Sequence, residues 1–103
     1  MKGAGPVLLR LSTSSAVQRV LRVGAARHLL PEPGLLFDLW FEGVPWGARL
    51  HDEPCVCGRP PAPHAHRNLE CPELHAGLRW IEGSRLELRR EADRIVVSGD
   101  IDP

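Results

Sequence analysis

The residues that could do chemistry lie close together in the middle of the chain. All three cysteines and four of the five histidines fall within residues 51–75 of the 103-residue sequence. Thiolates and imidazoles are the ligands that Zn²⁺ prefers, and a structural zinc site closes all four tetrahedral positions with them. The clustering therefore predicts one Zn²⁺ ion bound by this segment, and we expect its role to be structural.

The spacing within the segment indicates which side chains bind the ion. The predicted ligands are Cys55, Cys57, His64 and Cys71. Cys-x-Cys brings two thiolates to one corner, and the following glycine and the prolines at 60, 61 and 63 shape the return of the chain. His66 competes with His64 for the third position, and His75 is a more distant candidate.

The pattern Cys-x-Cys-Gly-x5-His-x6-Cys over residues 55–71 resembles compact zinc modules of the knuckle or ribbon kind, in small proteins of GC-rich bacteria and their phages. The resemblance is confined to these residues. The first two cysteines form a Cys-x-Cys pair, which differs from the commoner Cys-x2-Cys. The resemblance implies a metal-stabilised loop. Because the loop is similar to those of phage proteins, we expect a minor structural component of a phage particle, such as a head–tail connector or decoration subunit.

Other chemistries fit the segment less well. Three cysteines leave one without a disulfide partner, and the Cys-x-x-Cys spacing of redox proteins is absent from the sequence. Neither His-Glu-x-x-His nor the deaminase pattern occurs. Glu53, Glu70 and Glu73 lie close enough in sequence to leave a hydrolase as an alternative. However, three thiolates and one imidazole leave no position for water, so we expect no enzymatic activity.

The charges are balanced overall but not along the chain. Thirteen basic and thirteen acidic residues cancel, yet residues 1–30 carry five basic residues and no acidic one, whereas residues 31–53 carry five acidic residues and one arginine. Arg19, Arg22 and Arg27 would lie on one predicted helix and are the candidate contacts for nucleic-acid phosphates. A pI near 7.0 makes nucleic-acid binding the alternative and protein partners or self-assembly the first expectation.

Hydrophobic patterning supplies the elements that must position the segment. Val17, Val20, Leu21, His28 and Leu29 follow helical spacing and predict an amphipathic helix over about 14–29. Strict alternation predicts a strand over 35–42, with a return over 46–50. A short strand is expected near residues 7–11. Further strands over 78–82, 85–89 and 94–98 predict a C-terminal meander.

Together these features predict an α+β fold: a small antiparallel sheet, one N-terminal helix and a zinc-stabilised loop. The chain is expected to form one domain over 1–103, with residues 51–75 as an insertion loop between two β regions. The predicted function is a non-enzymatic, zinc-stabilised interaction or assembly module, without membrane or small-molecule partners. Alternatives are a small nucleic-acid-binding protein and an inhibitor of a host protein. With no long apolar run, the expected location is the cytoplasm, or the virion if the chain is phage-encoded.

Overall fold

The computed structural model describes residues 5–55 and 64–102, and for Cys55 and His64 it describes the backbone only. The elements in chain order are β1 (Val7–Arg10), α1 (Thr13–Gln18), a 3₁₀ helix (Gly24–Leu29), β2 (Phe37–Phe41), β3 (Val44–Cys55), β4 (His64–Glu70), α2 (Pro72–Gly77), β5 (Arg85–Glu91) and β6 (Arg94–Gly99). Strands dominate this part of the chain.

The six strands form one curled sheet in the order β1-β5-β6-β2-β3-β4. Neighbouring strands are antiparallel except β2 and β6, which are parallel over the two pairs Leu39–Ile95 and Trp40–Val96. The 3₁₀ helix contacts β1, β4 and β5. It therefore links strands from opposite ends of the sheet.

Strand β2 has the alternation that its sequence predicts. Leu39 and Phe41 are buried, whereas Trp40 on the other face is half-buried, and the Arg94 guanidinium lies 3.8 Å from the Trp40 ring centroid. The β2–β3 turn places Glu42 and Gly43 at φ 49° and 81°, the backbone of a type I′ turn, whose twist matches that of the flanking strands.

The core lies on the inner face of the sheet. Its fully enclosed members include Leu21, Val23, Leu29, Leu39, Leu50, Leu69, Leu74, Leu86, Leu88 and Val97, together with Cys71. Leu50 and Leu69 are opposite each other in the β3–β4 ladder. This layer therefore anchors the inner end of the β3–β4 hairpin.

The predicted α+β class is wrong, because the described fold is mostly β and its sheet is mixed. The helical segments of the described residues are each six residues long. The predicted strand over 78–82 is replaced by a single bridge from Leu78 to Ile101. Strand β5 instead pairs with β1 on one side and β6 on the other.

The predicted helix over 14–29 is also wrong, for a local and a tertiary reason. Arg19 adopts the left-handed conformation and ends α1. The next residues are extended: the Val23 N–H donates to the Arg67 carbonyl, and the Leu69 N–H donates to the Leu21 carbonyl. Leu21 and Val23 are buried with one residue between them, so the period is that of a strand. Pairing with the β4 edge prevails over helical propensity.

Within the described residues, no helix is both long enough and apolar enough to span a membrane.

Candidate metal centre at the β3–β4 hairpin

Most of the predicted insertion loop forms regular structure. Strand β3 continues to Cys55, β4 begins at His64, and α2 follows at Pro72. Seven residue pairs join the two strands, from Arg49–Glu70 at the inner end to Cys55–His64 at the outer end. The segment therefore positions its chemistry along a β-hairpin.

The ladder brings two of the predicted ligands together. Cys55 and His64 are register partners in the outermost pair of the hairpin. Directly opposite residues in an antiparallel pair have Cβ atoms about 4.5–5.5 Å apart. Cys57, two positions further along the sequence, lies outside the described residues, as do the side chains of Cys55 and His64.

Cys71, the fourth predicted ligand, lies at the other end of the hairpin. It follows the last residue of β4 and is seven positions from His64, which at about 3.3 Å per residue is about 23 Å of strand. Zinc ligands lie about 2.0–2.3 Å from the ion, a distance much shorter than this length of strand. The Cys71 thiol is buried in the core, and that burial raises the pKa of Cys71, which disfavours the thiolate that binds metals.

The other histidines of the segment lie at two positions along the hairpin and in the helix α2 that follows it. His66 is opposite Glu53, two residue pairs inside the Cys55–His64 pair, and the two-residue alternation of a strand puts positions 64 and 66 on the same face. Further inward, His51 Nδ1 lies 3.5 Å from Glu70 Oε2. His75 belongs to α2, where its Nδ1 is 3.0 Å from the Cys71 carbonyl oxygen. Of these, the ladder places His66 nearest to the Cys55–His64 pair.

Among the described residues alone, no group of three or more His, Cys, Asp or Glu side chains is placed to hold a metal ion.

An ion pair holds the middle of the hairpin. Arg67 Nε and Nη2 donate to the two carboxylate oxygens of Asp52 at 2.9 and 3.1 Å, across a directly opposite pair of the ladder. These hydrogen bonds lower the pKa of Asp52 against the opposing effect of desolvation, and they raise the pKa of Arg67. The bidentate geometry adds orientation to attraction. Sequence reasoning missed this pair because its members are fifteen residues apart.

The other face of the same strands carries a polar contact next to the core. Asn68 Nδ2 donates to Glu53 Oε1 at 3.0 Å, and Asn68 is only 4% exposed. Its Oδ1 and the Nε of Arg22, on the segment paired with β4, are buried without a hydrogen-bond partner among the described residues. These atoms are buried because residues 21–23 pair with β4 and cover this edge of the hairpin.

The arginines predicted to contact nucleic acid do not share a helix face. Arg19 ends α1, Arg22 forms the isolated bridge to Asn68, and Arg27 belongs to the 3₁₀ helix. Arg22 also has its Nε buried. The three arginines therefore do not lie on one helix, and nucleic-acid binding stays a prediction from the sequence.

Comparison with known proteins gives no relatives: no family model, no curated protein and no solved structure matches the chain.

Proposed function

We propose that the chain is a non-enzymatic protein-interaction module whose projecting hairpin is closed by a structural Zn²⁺ ion. The observation that supports this proposal is the pairing of Cys55 with His64 at the outer end of β3–β4. That pairing supports a site to which β3 contributes cysteine and β4 contributes histidine. The assembly of the module into a phage particle stays a prediction.

The outer half of the hairpin needs such a closure. Beyond the Leu50–Leu69 layer, Asp52, Glu53, Pro54 and Ala65 are exposed, so these levels of the ladder lack an apolar layer. A two-stranded hairpin without a hydrophobic face is marginally stable in water. Binding of structural zinc is worth about 10–16 kcal/mol in small modules, which is ample to hold these strands together.

The ladder also revises the ligand set. With Cys71 about 23 Å of strand away, the fourth ligand must come from the outer hairpin. His66 lies two residue pairs inside the Cys55–His64 pair, on the same face of β4 as position 64. We therefore assign Cys55, Cys57, His64 and His66, a Cys-x-Cys motif and a His-x-His motif in the sequence.

Native mass spectrometry of the full chain tests the site. We expect one zinc ion per chain, lost in Cys55→Ser and in His66→Ala and retained in Cys71→Ala, because only the first two remove a ligand. Absence of bound zinc from the unmodified chain, or its loss in Cys71→Ala alone, would contradict the proposal.

Amide hydrogen exchange with and without a chelator tests the role of the ion. Removal of zinc is expected to expose the outer amides, at residues 51–54 and 65–67, while the Leu50–Leu69 layer stays protected. Because the core does not depend on the ion in this arrangement, a collapse of protection throughout the sheet would show that the metal holds the whole fold instead.

A further inference from the structure

A hollow lies on the outer face of the sheet, over the middle of β3. It has a volume of about 320 Å³ and is lined by Leu36, Gly47, Ala48, Arg49, Glu70 and Pro72. Gly47 is opposite Asp38 in the β2–β3 ladder, on the face away from the buried Leu39. The absence of a side chain at residue 47 therefore opens this surface.

Nothing in the described part of the chain explains the glycine. Gly47 is outside the left-handed region, and a Cβ built on it would meet no heavy atom within 4 Å among the described residues. Glycine inside a strand destabilises it relative to alanine. Such a glycine often marks the close approach of a ligand or of another chain, and this one leaves its space open to the outside.

An apolar side chain stands beside the hollow. Leu36 is 71% exposed and its neighbour Leu35 is 58% exposed, just before β2 begins. Adjacent exposed leucines next to a largely apolar hollow are typical of an interaction site. The patch therefore carries both a projection, Leu36, and a depression, over Gly47.

The rim of the hollow carries one charge of each sign. Arg49 and Glu70 are register partners of β3 and β4. Within the described part of the chain Arg49 has no ion pair, and the contact of Glu70 is with His51 at 3.5 Å. A two-fold rotation about an axis near this pair would place each charge opposite its complement on a second copy.

We propose that this face binds a second copy of the chain about a two-fold axis. Leu36 of each copy fills the hollow over Gly47 of the other, and Arg49 of each copy meets Glu70 of the other. A projection, a depression and both charges on one patch are what an isologous contact requires. This inference rests on the proposed interaction role, for which it names the partner.

Sedimentation equilibrium of the full chain tests the contact, in the presence of zinc and in the presence of a chelator. We expect a reversible dimer under both conditions. Gly47→Val fills the hollow and is expected to weaken dimerisation on the order of tenfold or more, while the midpoint of denaturant unfolding stays equal or rises. Leu36→Ala is expected to weaken dimerisation. Leu8→Ala, on another exposed leucine, in β1 (52% exposed), is expected to leave it unchanged.

Charge reversal identifies the orientation of the two copies. Arg49→Glu and Glu70→Arg are each expected to weaken the dimer, and the double variant to restore it. A monomer at every concentration overturns the dimer, and bound zinc on that monomer leaves the proposed function standing. A dimer seen only with zinc, or one unchanged by Gly47→Val, overturns the assignment to this face.

Discussion

The two halves of the β3–β4 hairpin are held together by different forces. The inner half packs Leu50 against Leu69 inside the core, and residues 21–23 cover its outer edge through backbone hydrogen bonds. The outer half is held by the Asp52–Arg67 ion pair and, in our proposal, by zinc at its end. The hairpin is continuous in backbone pairing, but its stabilisation changes from hydrophobic to polar along its length.

This difference separates the stability of the fold from the chemistry of the site. Hydrophobic burial contributes to global unfolding, whereas an exposed ion pair contributes little to it. Changes to the inner half should therefore move the stability of the whole chain. Changes to the outer half should alter local opening and metal binding.

The largest expected effect comes from the inner half. Leu69→Ala removes a fully buried side chain and is expected to lower the free energy of unfolding by about 2–5 kcal/mol. Chemical denaturation measures this loss. Ala65→Ser on the exposed outer half is the control and should change it by about 0.5 kcal/mol or less. Equal losses in the two variants would refute the division of the hairpin.

The cysteines give the next comparison. Cys71→Ala removes a buried thiol from the core and is expected to destabilise the chain by about 1 kcal/mol, with zinc content unchanged. Cys55→Ala is expected to leave the free energy of unfolding measured in chelator unchanged. Without chelator, the same variant is expected to bind no zinc. Denaturation in chelator measures the stability, and mass spectrometry measures the zinc content. Loss of zinc in Cys71→Ala together with retention of zinc in Cys55→Ala would place Cys71 in the site.

The smallest expected effect concerns Asp52. Its pKa is lowered from an ordinary value of 3.8 because it accepts hydrogen bonds from Arg67. A lowered folded pKa means that the folded chain favours the ionised carboxylate, so the contribution is fully present above pH 3.8 and is lost as the pH falls through the folded value. The protection factors of the outer-hairpin amides, which correct for the intrinsic pH dependence of exchange, should therefore fall in that acidic range.

Asp52→Asn should remove the acid-dependent step in the exchange of the outer hairpin and leave global unfolding nearly unchanged. Asp93→Asn, in the exposed β5–β6 turn, is the matched control and should keep the step. Persistence of the step in Asp52→Asn would assign it to another group.

Local patterns predicted the strands better than the helix. Alternation around Leu39 and Phe41 predicted β2, and the β-branched run near Ile95 predicted β6. The apolar positions of residues 17–29 also fit a helix, but Val17 is 78% exposed. The helical spacing within one segment does not show whether the segment can instead pair with the edge of a distant strand. Here residues 21–23 pair with the edge of β4.

The candidate site was predictable in composition but not in geometry. Clustering and spacing named Cys55 and His64, and the ladder pairs their backbones. The same spacing also predicted Cys71 as a ligand, because the seven positions from His64 to Cys71 are a short separation in sequence whether they form a loop or a strand. Only an extended β4 makes that separation long, and only the β3–β4 register sets His66 beside the outer pair.

The sequence by itself determined which residue types lie together and which segments alternate, because both properties depend on neighbours along the chain. The tertiary structure decided the parallel β2–β6 pairing, the extended path of residues 21–23 and the distance between Cys71 and the hairpin end. These features depend on which backbone hydrogen bonds and buried surfaces compete for the same segment, and that competition is settled only when all the strands are present together.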